Sequence, residues 1–194
     1  MRRAFVGAAV ASLALCGALA AVALPGSGAA PGPVGALAST AGSASAPESA
    51  FNPTDVAWLQ LAAPMTEQAV RLAALAADRA ASPQLRELAA AVSGADGAEL
   101  ARLRGLLVQA GADQVRPHEG HDMPGMTTPA EYAAAERESG PAFDRLVSTY
   151  LREYLDQSVR LADSERSAGR EQATRDLAAD IRRGRAAELA RLAP

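Results

Sequence analysis

Displaced by 89 positions, the sequence matches itself without a gap. Gln68, Val70, Arg71, Leu72 and Ala73 fall on Gln157, Val159, Arg160, Leu161 and Ala162. Ala98-Glu99-Leu100-Ala101-Arg102-Leu103 falls on Ala187-Glu188-Leu189-Ala190-Arg191-Leu192, and Asp55 falls on Asp144. Shared alanines mean little in a chain of 194 residues with 49 of them, but the repeated Val-Arg-Leu-Ala and Glu-Leu-Ala-Arg-Leu blocks at one offset mean a duplication. The chain has no lysine, its 19 basic residues are arginine, and only 4% of it is aromatic. Alanine and arginine favour helix, and a sandwich or barrel would need β-branched and aromatic side chains. Each repeat therefore reads as a helical hairpin. One hairpin cannot bury its own apolar stripe, and two make an all-α four-helix bundle.

Local signals place the helices. Asn52-Pro53 supplies an N-cap and a first-turn proline, with Asp55 where a carboxylate favours the helix dipole. The first helix should run from Pro53 to about Ala80, with Leu59, Ala62, Ala63, Thr66, Val70 and Ala73 on one face. Ser82-Pro83 opens the second, which ends near Gly111, and Gly140-Pro141 opens the third, through to Ala168. The fourth spans about Arg170 to Leu192. The hairpins thus occupy 51–111 and 140–192 of a domain covering 51–194. Loop 112–139 joins them and carries a short helix around Ala130–Glu136.

Residues 1–30 read as an export signal. Arg2 and Arg3 precede an uncharged, mostly apolar run from Ala4 to Leu24, and Ala21-Val22-Ala23 offers a cleavage site. The run is weakly hydrophobic, which favours cleavage; left uncleaved, it would be the chain's one link to a membrane. Residues 31–50 continue as an alanine, glycine, serine and proline tether. Cys16 leaves with the signal, so the mature chain has no disulfide and no thiolate chemistry. The protein is expected outside the cytoplasm: secreted, periplasmic or in the cell envelope.

Function classes are excluded by what is missing. The net charge of −3 gives no footprint for nucleic acid. There is no Gly-x-Ser-x-Gly, Walker loop, Rossmann fingerprint or His-Glu-x-x-His, and with both histidines in one loop no serine triad can assemble on the bundle. The expectation is no enzyme, no catalytic residue and no organic cofactor.

Two groups of residues remain as metal candidates. Glu99 and Glu188 lie in the middle of apolar helical stripes, and Asp55 and Asp144 also point toward the bundle, so four carboxylates could face inward around a hard cation. The competing reading pairs the glutamates with arginines and leaves the aspartates as first-turn acids. The second group is the loop segment Pro117–Met126, with His118, His121, Met123 and Met126. Imidazole and thioether suit copper or silver, although closed sites usually need three or four ligands.

His121-Asp122-Met123-Pro124-Gly125-Met126-Thr127-Thr128-Pro129, followed by Ser139-Gly140-Pro141-Ala142-Phe143-Asp144, resembles the domain of unknown function 305 family, as do the hairpins ending in Glu-Leu-x-x-Leu. The resemblance covers Phe51 to Leu192. It implies an exported, ferritin-like four-helix bundle, in a family some of whose members are linked to copper or silver in the bacterial envelope. It also implies paired histidines in the first helix of each hairpin and Gln-x-x-Glu in the second. Here the paired positions hold Met65-Thr66 and Tyr154-Leu155, and the glutamine positions hold Asp96 and Arg185, while Glu99 and Glu188 remain. The fold carries over and the metal chemistry does not. Two functions follow as expectations. One is a non-enzymatic envelope bundle that binds a protein partner or serves structurally. The other is a weak copper-binding or buffering protein using His118–Met126.

Overall fold

Four helices begin at a side-chain cap, and a fifth begins at Gly140-Pro141 without one. The computed structural model describes residues 49–192, so the expectations for the export signal and for the tether up to residue 48 lie outside the described residues. The described residues form five helices: α1 (Pro53–Arg79), α2 (Pro83–Gln109), α3 (Pro129–Arg137), α4 (Gly140–Ala168) and α5 (Gln172–Arg191). Among the described residues there is no strand, and no helix is long and apolar enough to cross a membrane.

Asn52 caps α1: its Oδ1 accepts from the Asp55 N–H at 2.9 Å, and Asp55 Oδ2 accepts from the Asn52 N–H at 2.6 Å. Thr128 and Glu131 repeat this box at α3, and Ser82 caps α2 through the Leu85 N–H. The helix that departs from expectation is α5. Without a proline to mark its start, it begins at Gln172 rather than Arg170. Glu171 is its cap and accepts from the Ala173 and Thr174 N–H groups at 3.0 and 2.6 Å.

Helices α1 and α2 form one hairpin and α4 and α5 the other, with α1 antiparallel to α4 and α2 beside α5. Leu59, Leu72, Leu103, Leu151, Leu155 and Leu177 have no exposed surface, and each such burial contributes about 2 kcal/mol. The face expected on α1 is buried at Leu59, Ala62, Ala63, Thr66 and Ala73. Val70 is only half-buried, and the stripe turns instead through Ala69, Leu72 and Ala76.

The two hairpins cap each other. Asp55 Oδ1 accepts from the N–H groups of Arg170 and Glu171 in the α4–α5 turn, at 2.9 and 3.2 Å. Asp144 accepts from Ala81 and Ser82 in the α1–α2 turn, at 2.9 and 2.8 Å. The donors are themselves 89 positions apart, so the duplication has become a reciprocal clasp.

The connection between hairpins is anchored rather than draped. Met126 is buried in the core beside α1 and α4 residues, and Met123 packs against it. Gly125 has φ +80, and a Cβ there would lie 2.5 Å from the Gln157 Cβ, so this turn needs glycine for both conformation and contact.

Candidate functional site

Mid-way along α2 and α5 a single guanidinium lies inside the bundle. Arg185 has no exposed surface. Its Nη1 is 2.7 Å from Asp96 Oδ1 and 3.3 Å from Glu188 Oε2, and its Nη2 is 2.6 Å from Glu99 Oε2. Nη2 also donates to the Tyr154 hydroxyl at 2.8 Å, and that hydroxyl donates to Asp96 Oδ2 at 2.7 Å. The guanidinium lies over the Tyr154 ring as well, 5.2 Å from its centroid. Helical periodicity explains the convergence: Asp96 and Glu99 share one face of α2, Arg185 and Glu188 one face of α5.

Burial opposes charge at Asp96, Tyr154, Arg185 and Glu188. Burial pushes the Asp96 carboxyl up to about 7, with Arg185 and the Tyr154 hydrogen bond pulling it back. Glu188 is also raised by burial against the pull of Arg185. Burial works against the Arg185 charge too, but Tyr154, Asp96, Glu99 and Glu188 outweigh it and hold its proton more firmly than usual. Burial lifts the Tyr154 phenol well above its ordinary range.

The four inward carboxylates expected from sequence do not form one site. Glu99 and Glu188 meet at Arg185. Asp55 and Asp144 are committed to the turns at opposite ends of α1, because an acid in a first helical turn finds backbone N–H groups before it finds a cation. Asp96, Arg185 and Tyr154 were not among the expected site residues. Their signal was opposite charge at equivalent repeat positions, 96 and 185, beside two retained glutamates.

The loop candidates are also separated. His121 is exposed and His118 half-buried, whereas Met126 is turned into the apolar core and Met123 packs against it. Among the described residues no three of histidine, cysteine, aspartate or glutamate are grouped as a metal site. The copper that the family resemblance implies does not fit the bundle interior. The paired imidazole positions hold Met65 with Thr66 and Tyr154 with Leu155, all of them buried, and the one cation among the carboxylates there is Arg185.

His118 instead borders a cleft of about 540 Å³ between α1, the end of α2 and the loop. Gln60, Pro64, Gln68, Arg104 and Glu119 also line it. Pro64 has no N–H for the carbonyl of Gln60, so the helix leaves an acceptor on this wall. The Gln68 Oε1 is buried without a donor. Val108 and Val115, 62% and 59% exposed, are the large apolar side chains that stand out on the described surface, and both border this cleft.

Residues 55–194 match the family described as Domain of unknown function (DUF305). The chain belongs to the DUF305 family. The bundle also resembles two solved DUF305 structures. One is a presumed secreted protein from Streptomyces coelicolor, at TM-score 0.63 and 20% identity, covering 72% of this chain and 90% of that one. The other is a DUF305 fragment from Deinococcus radiodurans, at TM-score 0.65 and 21% identity, covering 73% and 94%. At these identities the likeness establishes the DUF305 fold. No match was found among curated proteins.

A second buried cluster sits at the α4–α5 turn of this DUF305 chain. Glu165 and Asp55, both without exposed surface, face each other above Gly169. Neither Glu165 oxygen has a donor from elsewhere, so the two carboxyls bond only if Glu165 keeps its proton. Burial raises Glu165 to about 8, with Asp55 adding to the rise. Asp55 is pushed up by burial but ends below its ordinary value, held there by the Asn52, Glu171 and Arg170 amides and by Glu165. A Cβ on Gly169 would overlap the Glu165 carboxyl. In the other hairpin the equivalent positions are Ala76 and Ala80, so the acid and the glycine have changed together.

Proposed function

We propose that this chain is an exported, non-enzymatic helical-bundle module of the bacterial cell envelope that acts by binding a protein or envelope component. The observation that carries this reading is the convergence of Val108 and Val115 on one cleft, whose walls also hold an unpartnered Gln68 Oε1. Exposed apolar side chains rimmed by charge are what a recognition surface requires. Export is supported by the charged and apolar start of the chain and by the presumed secretion of the Streptomyces coelicolor DUF305 protein. A photo-crosslinking side chain at Val108 or Val115 in the exported protein should yield one discrete adduct in envelope fractions. The same group at Arg145, exposed on α4 away from the cleft, should yield none. Equal labelling from both places, or none from either, would sink the proposal.

The second reading is weak copper binding by the loop, favoured by the placement of His118 at the cleft beside Glu119. Titration with Cu(I) and Cu(II) separates the two. A bundle that needs no metal melts at one temperature throughout. Loop binding would raise the melting temperature, by about 2.7 kcal/mol of stability at a hundredfold excess over Kd, and His118→Ala with His121→Ala would abolish the shift.

A further inference from the structure

Duplication gave the bundle two clasps, and only one of them has a second acid beside it. Asp144 accepts from the Ala81 and Ser82 amides in a turn that carries Ala76 and Ala80. Asp55 accepts from the Arg170 and Glu171 amides in a turn that carries Glu165 and Gly169 at the same places. Glu165 has no exposed surface, and its Oε1 and the Asp55 Oδ1 both lie within 2.7 Å of the point where a Gly169 Cβ would stand. The amides that open α5 are already committed: Arg170 and Glu171 donate to Asp55, and Ala173 and Thr174 donate to Glu171. Neither Glu165 oxygen is left with a donor, so the two carboxyls stay together only while a proton lies between them.

We propose that the Asp55 clasp is a proton-operated latch: protonated Glu165 holds the α4–α5 turn shut on the start of α1, and loss of that proton opens the turn and releases residues 49–52. What opens is set by what is tied there. Asn52 Nδ2 donates to the Ala168 carbonyl at 2.8 Å, and the Arg170 side chain donates to the carbonyls of Ala50 and Ser49. These ties are exposed, whereas the two acids are buried, so the turn gives way before the apolar core does. The charged groups facing Glu165 are Asp55 on α1 and Glu171 and Arg175 at the start of α5. Two of the three are acids, and Arg175 is exposed and donates to the Arg166 carbonyl, so ionised Glu165 meets net repulsion. A group raised on folding holds the latch at low pH and loses it as pH rises through about 8.

The test is amide exchange in the full chain, followed by NMR at pH 6 and pH 9 and divided by the intrinsic rates. Protection of the Arg170 and Glu171 amides should fall by about 10–100-fold at pH 9. The Ala81 and Ser82 amides, held by the clasp that lacks the acid, should keep theirs. Glu165→Gln, which donates to Asp55 and cannot ionise, should remove the fall. Glu165→Ala, which copies the Asp144 clasp, should also give protection that does not change with pH. Full protection of Arg170 and Glu171 at pH 9 would overturn the proposal, since Glu165 would then have found Arg175 without opening the turn. An equal fall at Ala81 and Ser82, or a fall that persists in both variants, would overturn it too.

Discussion

Glu165 is the residue whose burial has the clearest consequence. Its ordinary pKa is 4.5, and in the fold it rises to about 8. A group raised on folding stabilises fully below its unfolded value, and that contribution is lost as pH rises through the folded value. Stability should therefore fall between pH 5 and 9 as Glu165 ionises against Asp55. Glu165→Gln keeps a donor for Asp55 and carries no charge. At pH 9 it should be more stable than the native protein by about 1–3 kcal/mol, and thermal melts at pH 6 and pH 9 should show the native slope flattened. Parallel pH profiles for the two proteins would contradict the account. Gly169 tests the same contact sterically: Gly169→Ala should cost about 1–3 kcal/mol, and Glu165→Ala should relieve most of that cost, since the other hairpin carries alanine at both equivalent positions. Chemical denaturation of the two single variants and the double closes the cycle. The sequence held traces of this pair. Glu165 continues the buried stripe Leu155, Ser158, Ala162, and an acid on such a stripe marks a buried charge. Its partner was not legible, because Asp55 looked complete as a first-turn acid.

At the scale of elements, helix starts were read well wherever proline followed a cap and less well where it did not. Pro53, Pro83, Pro129 and Pro141 open four helices. At α5, with no proline to mark it, the start was expected near Arg170, but the Arg170 and Glu171 amides go to Asp55 and the helix starts beyond them, where the offset of 89 places the equivalent of Pro83. Caps supplied from another hairpin leave no local mark, so the periodicity that located Asp55 and Asp144 could not reveal what they cap. Asp144→Ala should leave the Ala81 and Ser82 amides without acceptors and destabilise the fold by about 1–2 kcal/mol. Hydrogen exchange should localise the loss to the start of α2. Exchange spread evenly over the bundle would contradict a local capping role.

For the whole molecule, the duplication was the most informative reading, since together with an alanine- and arginine-rich composition that gave the helical class it gave hairpin count and pairing before any helix was placed. It could not give the contents of the interior. Pseudo-symmetry brings like positions together, and whether they hold two acids, two imidazoles or an acid and an arginine is decided by single residues. The cleft was invisible for another reason: Val108 and Val115 are unremarkable in sequence and become a surface feature only when the chain after α2 folds back over α1.

The crossed caps make each half of the chain a ligand for the other. Cut between Gly120 and His121, the protein should fall into two pieces, each with an acid that has nothing to cap and a turn with nothing to cap it. Neither piece alone should be more than partly helical by circular dichroism. Mixed in equal amounts they should regain the ellipticity of the intact chain, and Asp55→Ala in one fragment should weaken that reassembly. A gene duplicated once would thus have left behind a split protein already carrying the key and the lock for its own complementation.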